Sequence, residues 1–128
     1  MRIAEVSERY GISSDTLRYY ERIGLIPPVN RNGSGIRNYN DIDVRRVEFI
    51  KCMRSARLPI ETLIEYVALV QQGDQTIAAR KEILIEQREQ LVARMAEMQK
   101  TLDMLDYKIK VYENAVLKRE KELIPIEV

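Results

Sequence analysis

The sequence predicts a mainly α fold that begins with two short helices and ends in one long helix. Three observations support this prediction: a helix–turn–helix pattern over residues 3–21, an Asn-Gly turn signal within residues 29–39, and a seven-residue apolar repeat over residues 77–116. No Gly or Pro interrupts the last segment. The length of 128 residues corresponds to one domain and its extension.

Residues 3–21 have the pattern of a helix–turn–helix. Residues 3–10 carry apolar side chains at helical spacing, Gly11 suits the tight turn, and Ser13 can cap the next helix. In such a motif the second helix lies in the major groove of DNA, where Arg can bind guanine and Tyr can reach phosphate. A helical hairpin with a polar surface is the alternative. The candidate DNA-binding side chains on the second helix are Thr16, Arg18, Tyr19 and Tyr20.

Residues 29–39 predict a β-hairpin, because two short extended runs flank the turn sequence Asn32-Gly33. A helix–turn–helix followed by a basic hairpin is a winged helix arrangement, in which the hairpin contacts phosphates beside the recognition helix. The order of the segments therefore favours DNA binding. The hairpin side chains suited to phosphate are Arg31, Arg37 and Tyr39.

These segments together resemble the MerR family of bacterial transcription regulators. The resemblance implies a MerR-type winged helix-turn-helix DNA-binding domain over residues 1–73, a coiled-coil dimerisation helix over residues 74–119, and a short C-terminal tail over residues 120–128. It also implies that Arg37, Tyr39 and Arg54 hold phosphate. The resemblance rests on Thr16-Leu17-Arg18-Tyr19-Tyr20-Glu21, Gly24-Leu25-Ile26-Pro27-Pro28 and Arg37-Asn38-Tyr39.

A dimer would carry two recognition helices related by a two-fold axis, so the expected operator is an inverted repeat in double-stranded DNA. In the MerR family the operator lies in an unusually long promoter spacer, and the activated protein bends and untwists it so that bacterial RNA polymerase can engage the promoter. The resemblance implies the same control by DNA distortion. The residues leave activation and repression equally open.

Charge is distributed unevenly along the chain, whose net charge is +1. Residues 1–59 hold eleven Lys and Arg against seven Asp and Glu, whereas residues 60–128 hold ten against thirteen. Ten of the eleven cations in the first part are Arg, whose planar fork suits phosphate and guanine. The basic part is thus the part with the DNA-binding pattern.

Composition argues against several other classes of protein. With no His and one Cys, the chain cannot assemble a hydrolase triad, a zinc site or an internal disulfide, so we expect neither an enzyme nor a cofactor. No apolar run approaches the roughly 20 residues needed to span a bilayer, and the first residues do not form a signal peptide. We therefore expect no membrane association and a cytoplasmic protein.

The middle of the chain predicts a helix from residue 41 to about residue 56, capped by Asn40 and with a core stripe of Val44, Val47, Ile50 and Met53. A second helix is expected to start near Pro59 and to run to about residue 72. The long helix that follows cannot cover its own apolar stripe, so it must pair as a coiled coil. Family resemblance implies an antiparallel pair, which the sequence alone does not fix. The predicted dimer seam is Leu91, Met95, Met98, Leu102, Leu105, Ile109, Tyr112 and Val116.

Cys52 is the candidate sensor thiol. Neighbouring Lys51 and Arg54 would favour its thiolate, which aldehydes and other electrophiles attack. The alternative is a small buried apolar residue that packs within the helix. The run Lys51-Cys52-Met53-Arg54 resembles the thiol-based, aldehyde-responsive branch of the family, of the NmlR and AdhR type, and this resemblance implies switching by electrophile or aldehyde stress. Arg57 departs from that branch, which often has Gly there.

Other effectors and other classes of function remain open. Metal-sensing relatives carry paired Cys near the end of the dimer helix, and this chain has no Cys after position 52, so we expect no metal site. A non-thiol small-molecule effector is the alternative inducer. A coiled-coil adaptor for another protein is the alternative class, and a steep loss of binding with salt would distinguish DNA binding from it. RNA binding is less favoured, because the Tyr residues do not lie on a sheet.

Overall fold

The computed structural model describes residues 1–123 in backbone and residues 1–122 in side chain. The chain divides into two compact units, Met1–Gln87 and Arg88–Val128. The predicted mainly α fold is confirmed. The elements are α1 (Ile3–Tyr10), α2 (Ser14–Arg22), α3 (Asp41–Ser55), α4 (Ile60–Gln72), a 3₁₀ turn (Asp74–Thr76) and α5 (Ile77–Leu123).

The turn between α1 and α2 forms as the sequence predicts. Gly11 ends α1 in the left-handed region, with φ of 66°, a conformation that a residue with a Cβ adopts only with strain. Ser13 then begins α2, since its hydroxyl oxygen accepts a hydrogen bond from the backbone N–H of Thr16 at 3.1 Å. These two residues fix the entry to the second helix.

The predicted β-hairpin is wrong in extent. Within residues 1–123 it is reduced to one antiparallel bridge, between Arg31 and Arg37. The turn is organised by the Asn32 side chain, whose Oδ1 accepts from the N–H of Ser34 at 2.9 Å and from that of Ile36 at 3.1 Å. Backbone bonds also close the turn, since the N–H of Asn32 donates to the Ile36 carbonyl at 2.9 Å and that of Gly35 to the Asn32 carbonyl at 3.0 Å. We call residues 29–39 the wing.

Two buried or half-buried carboxylates fasten the wing to the helices. Asp43, 5% exposed at the start of α3, accepts through Oδ2 from the N–H of Asn30 at 3.1 Å and from that of Asn40 at 3.0 Å. Glu21 of α2 accepts through Oε2 from the N–H of Val29 at 3.2 Å. The first residues of the wing are thus bonded to both α2 and α3.

The core of the first unit lies where α1, α2, α3 and α4 converge. Val47 and Ile50 of the predicted α3 stripe are buried in it, and Val44 and Met53 pack against its edge, so that prediction is right. The helix bounds also match, since α4 starts after Pro59, where the missing N–H costs no helical bond. The other buried apolar residues are Val6, Tyr10, Leu17, Leu25, Ile26, Val29, Tyr39, Leu58, Leu63 and Val67.

Hydrogen bonds join the end of α4 to the beginning of α5. The Thr76 hydroxyl donates to the carbonyl oxygen of Leu69 at 2.7 Å and accepts from Nε of Arg80 at 3.0 Å. Gln87, three turns into α5, is also buried. The first compact unit consequently runs on to Gln87, beyond the boundary expected at residue 73.

The second unit is the remainder of α5. The helix continues to Leu123, four residues into the segment predicted as a tail, and residues 124–128 of that segment lie outside the described residues. Every residue of the predicted seam is at least partly open in the single chain, and Met98 is 71% exposed. In residues 1–123, no helix has the length and apolar character needed to cross a membrane.

Tyr39 is a core residue, so its predicted contact with phosphate is wrong. Its side chain is 2% exposed, and its backbone N–H donates to the carbonyl oxygen of Met1 at 2.7 Å. The hydroxyl has no hydrogen-bond partner among the described residues. Burial, and next the negative charge of Glu21, raise the pKa of the Tyr39 hydroxyl.

We expect Tyr39→Phe to raise the free energy of unfolding by about 1 kcal/mol at pH 7, because it removes a buried hydroxyl that has no partner. Urea unfolding followed by circular dichroism measures the change. The folded pKa lies above the unfolded value of about 10, so the neutral hydroxyl favours folding below that pH and this contribution is lost as pH rises further. The variant should therefore lose less stability above pH of about 10 than the parent does.

A destabilised Tyr39→Phe protein would contradict this assignment, since it would mean that the hydroxyl makes a bond in the fold. Leu17→Ala is the control for the method. It removes apolar volume from the same core and should lower the free energy of unfolding by about 2–5 kcal/mol.

Candidate nucleic-acid interface

Helix α2 presents the predicted recognition side chains in two groups. Leu17 is fully buried and anchors the helix to the core, and Tyr20 packs against that core from a half-buried position. Arg18 and Tyr19 lie on the open side, and Tyr19 is 41% exposed. The hydroxyl of Thr16 accepts from Ser13 Oγ at 2.8 Å, which places it in the cap rather than in free solvent.

Arg18 is available for binding although it forms an ion pair. Its Nη1 donates to Asp15 Oδ1 at 2.9 Å, and the Asp15 side chain is almost wholly exposed. An exposed pair of this kind contributes little, about 0–1 kcal/mol, because water and salt screen both charges. Arg18 can therefore exchange this carboxylate for a DNA group at small cost.

Arg22 joins the exposed side of α2, and sequence analysis missed it. Its guanidinium lies 5.3 Å from the centre of the Tyr19 ring, a distance suited to a cation–π contact. The signal was present in the sequence, since positions 19 and 22 are one helical turn apart. The contact holds Tyr19 and a positive charge together on the surface of α2.

Four arginines from three segments line one shallow cleft of about 340 Å³. They are Arg2 before α1, Arg18 on α2, and Arg31 and Arg37 on the wing, and no carboxylate lines the cleft with them. Such a concentration of guanidinium groups suits the phosphate backbone of nucleic acid. Sequence analysis missed Arg2, because its place beside the wing comes from the chain path: Tyr39 bonds to the Met1 carbonyl.

The two wing arginines are held in different ways. Nε of Arg37 donates to Glu21 Oε1 at 2.8 Å, and both side chains of this pair are largely buried. Nη1 of Arg31 donates to the carbonyl oxygen of Gly35 at 2.7 Å and remains exposed. Arg37 thus links the wing to α2, whereas Arg31 is the more exposed donor at the surface.

Arg54 forms a hydrogen bond within the protein at the end of α3. Its Nη1 donates to the carbonyl oxygen of Leu58 at 2.7 Å across the turn, in which Arg57 has a positive φ of 65°. The half-buried Arg54 side chain therefore stabilises the α3–α4 junction. A guanidinium carries five N–H donors, so a phosphate contact through the others stays a prediction.

Cys52 is exposed on α3, so the interpretation of this residue as a buried apolar side chain is wrong. Its expected cationic neighbours make contacts elsewhere. Lys51 Nζ lies 6.0 Å from the centre of the Tyr10 ring, and Arg54 donates to Leu58. The thiol is accessible to reagents, but the two cations that were expected to favour its thiolate make contacts with other groups.

A metal site is not observed either. In the part of the chain that the structure describes, no group of three or more His, Cys, Asp or Glu residues is placed to hold a metal ion.

Comparison with known proteins agrees with this surface. The family model described as MerR HTH family regulatory protein matches residues 1–69, and a second, described as MerR, DNA binding, matches residues 44–107. The chain is 55% identical over 92 residues to the HTH-type transcriptional regulator AdhR of Bacillus subtilis, a match that spans 72% of this chain and 66% of AdhR.

Two solved structures share the architecture. A MerR family transcriptional regulator from Listeria monocytogenes superposes with a TM-score of 0.90 at 48% identity, over 96% of this chain and 93% of that one. HiNmlR, a MerR family regulator lacking the sensor domain and bound to promoter DNA, superposes with a TM-score of 0.82 at 29% identity, over 91% and 92%. Together with the exposed α2 and the arginine cleft, these matches show that the chain belongs to the MerR family and is a DNA-binding transcriptional regulator.

Proposed function

We propose that the protein acts as a homodimer on an inverted-repeat operator within a bacterial promoter and controls transcription by distorting the DNA. The observation that carries this proposal is the arginine cleft beside the exposed side of α2. One surface thereby combines a helix that fits a major groove with cations that fit the adjacent backbone. Such a regulator acts in the cytoplasm, where RNA polymerase meets the promoter.

The side chains divide between reading bases and holding phosphate. Arg18 is assigned to a guanine edge, because it projects from the open side of α2 and because breaking its exposed ion pair with Asp15 costs little free energy. Tyr19 and Arg22 are assigned to the groove wall and its phosphates. Arg2, Arg31 and Arg37 are assigned to the backbone, where they set the position of α2 without reading sequence.

The proposed dimer is supported by the exposed apolar side of α5. A single chain leaves the whole seam open to water, with Leu102 49% and Ile109 55% exposed. A continuous apolar stripe on one helix needs a partner of the same kind, which a second copy supplies. An antiparallel pair has a two-fold axis, which matches the symmetry of an inverted repeat. HiNmlR, the similar regulator bound to promoter DNA, supports this mode of action.

Arg18→Ala should lower affinity for the specific operator by about tenfold or more, since one bidentate contact to guanine is worth about 1–3 kcal/mol. Lys100→Ala is the matched control: it also removes one cation, from an exposed position on α5 whose partner is the exposed Glu97. Fluorescence anisotropy with the protein's own promoter measures both affinities, and a scrambled duplex measures non-specific binding.

The pattern of losses tests the assignment as well as their size. Arg18→Ala should reduce specific binding more than binding to the scrambled duplex, whereas Arg31→Ala should weaken both alike and flatten the dependence of affinity on salt. Unchanged operator affinity in Arg18→Ala would remove α2 from its role in reading DNA.

Leu102→Glu should dissociate the dimer, because it places a charge in the middle of the apolar seam. Lys100→Glu is the control, two residues away on the opposite side of the helix, and it should remain dimeric. Sedimentation velocity measures the association state, and anisotropy should show that only Leu102→Glu loses the operator. A Leu102→Glu protein that stays dimeric would show that the seam lies elsewhere.

We further propose that Cys52 switches the regulator under aldehyde or electrophile stress. Two observations support this proposal: Cys52 is exposed on α3, and the chain is similar in sequence to AdhR. Chemically, the thiolate sulfur would add to the carbonyl carbon of an aldehyde. A C–S bond forms, the carbonyl π electrons move to oxygen, and that oxygen takes a proton to give a hemithioacetal.

Cys52→Ser should keep operator affinity within about twofold and abolish the transcriptional response to formaldehyde or methylglyoxal, because a hydroxyl is a far weaker nucleophile than a thiolate. A promoter–reporter fusion measures the response. Intact-protein mass spectrometry of the parent chain identifies the adduct on the one Cys. Full induction in Cys52→Ser would exclude the thiol switch and leave the DNA-binding function intact.

A further inference from the structure

A second cavity lies between α3 and α4, within the first unit and apart from the arginine cleft. Its volume is about 250 Å³, and Leu25, Ile50 and Val67 form its apolar floor. Arg45, Arg46 and Phe49 of α3 supply one wall and Tyr66 of α4 belongs to the other. No role assigned above uses this cavity, which we call the α3–α4 cleft.

Each of the two helices contributes one aromatic ring to the cleft. The rings of Phe49 and Tyr66 stack across the two helices with their centres 5.5 Å apart and an angle of 27° between their planes. Both rings pack against the core from half-buried positions, so the core holds their orientation. A flat apolar group that entered the cleft would meet fixed ring surfaces and the edge of Ile42, which is 55% exposed.

The lining also carries a net positive charge. Arg45 and Arg46 both line the cleft, and no Asp or Glu does. Within residues 1–122, whose side chains the structure describes, neither Arg45 nor Arg46 forms an ion pair, so neither of these guanidinium groups is neutralised. Two unpaired cations at the edge of an apolar cavity complement a molecule that has an apolar body and an anionic end.

We propose that the α3–α4 cleft binds a small carboxylate with a flat, apolar body. The size agrees, because a cavity of about 150 Å³ holds benzene, which leaves room within 250 Å³ for a ring and one carboxylate. The ring stacks beside Phe49 and Tyr66, and the carboxylate accepts hydrogen bonds from Arg46, which is half-buried whereas Arg45 is exposed. Binding itself is independent of the proposed DNA function.

The effect of such a ligand on transcription rests on the proposed function. A molecule that touches α3 and α4 at once favours one relative placement of the two helices. Asp43, in the first turn of α3, accepts hydrogen bonds from Asn30 in the wing and from Asn40 directly after it, so the placement of α3 is linked to that of the wing. Ligand and operator affinities should therefore depend on each other, by the same factor in both directions.

Isothermal titration of the full-length dimer with benzoate tests the binding, with benzamide as the neutral analogue of the same shape. Benzoate should bind saturably at one molecule per chain, and benzamide should bind about tenfold more weakly or worse, because it lacks the charge that the guanidinium recognises. Carboxylates are not electrophiles, so this signal does not arise from Cys52.

Arg46→Gln should lower the affinity for benzoate by about tenfold or more. Lys51→Gln is the matched control, since it removes one cation from the same helix outside the cleft, and it should leave affinity within about twofold. Tyr66→Leu keeps apolar volume but removes a ring, so it should reduce the preference for benzoate over cyclohexanecarboxylate. Circular dichroism and operator binding without ligand report whether each variant folds.

Three results would overturn the proposal: no saturable binding of benzoate, equal binding of benzamide, or Arg46→Gln with parental affinity. If the second copy of the chain fills the cleft instead, benzoate will not bind and Arg46→Gln will shift the monomer–dimer equilibrium. Failure of the proposed function has a different signature, in which benzoate binds as described but the unliganded dimer does not recognise its promoter.

Discussion

The wing is held in place by two carboxylates, those of Glu21 and Asp43. In the described part of the chain the wing backbone forms one bridge and no strand, so a sheet cannot fix its direction. Glu21 bonds to the N–H of Val29 and to the guanidinium of Arg37, while Asp43 bonds to the N–H of Asn30. Hydrogen bonds to ionised groups are about twice as strong as neutral ones, and burial strengthens them further. Helix α2 and the wing are consequently fixed relative to each other, as the proposed DNA-binding surface requires.

The same chemistry separates the arginines into two kinds. The partner of Arg18 is an exposed carboxylate that water already screens, so Arg18 can leave it for a base edge at little cost. The partner of Arg37 is the largely buried Glu21, so leaving it would strand a carboxylate in a place with little water. Arg37 is therefore expected to stay with Glu21 and to contribute its charge and its remaining donors, whereas Arg18 is free to leave Asp15, as its proposed contact with a base edge requires. Specificity and positioning are thus assigned by the burial of the acidic partner rather than by the arginine itself.

Sequence predicted the helices well because their signals are local. Gly11, Ser13 and Pro59 each act on the backbone within one turn, and apolar spacing alone identified the buried face of α3. It failed where the outcome depends on residues far apart. Tyr39 was predicted at the surface, but in the fold its backbone bonds to Met1 and its side chain is buried. The same bond brings the neighbouring Arg2 to the arginine cleft. The Asn-Gly signal predicted two strands, but a short turn organised by an Asn side chain needs no ladder.

Helix α3 is the element on which the separate surfaces of the first unit converge. Its first turn holds the wing through Asp43, its middle forms one wall of the α3–α4 cleft, and Cys52 is exposed near its end. A packed helix moves as a rigid body more readily than it bends, because its core contacts are discrete. A molecule in the cleft or an adduct on the thiol would act on the same helix, and either would reach the wing through the Asp43 bonds. One helix can in this way serve two chemically different inputs, with the wing as their common output.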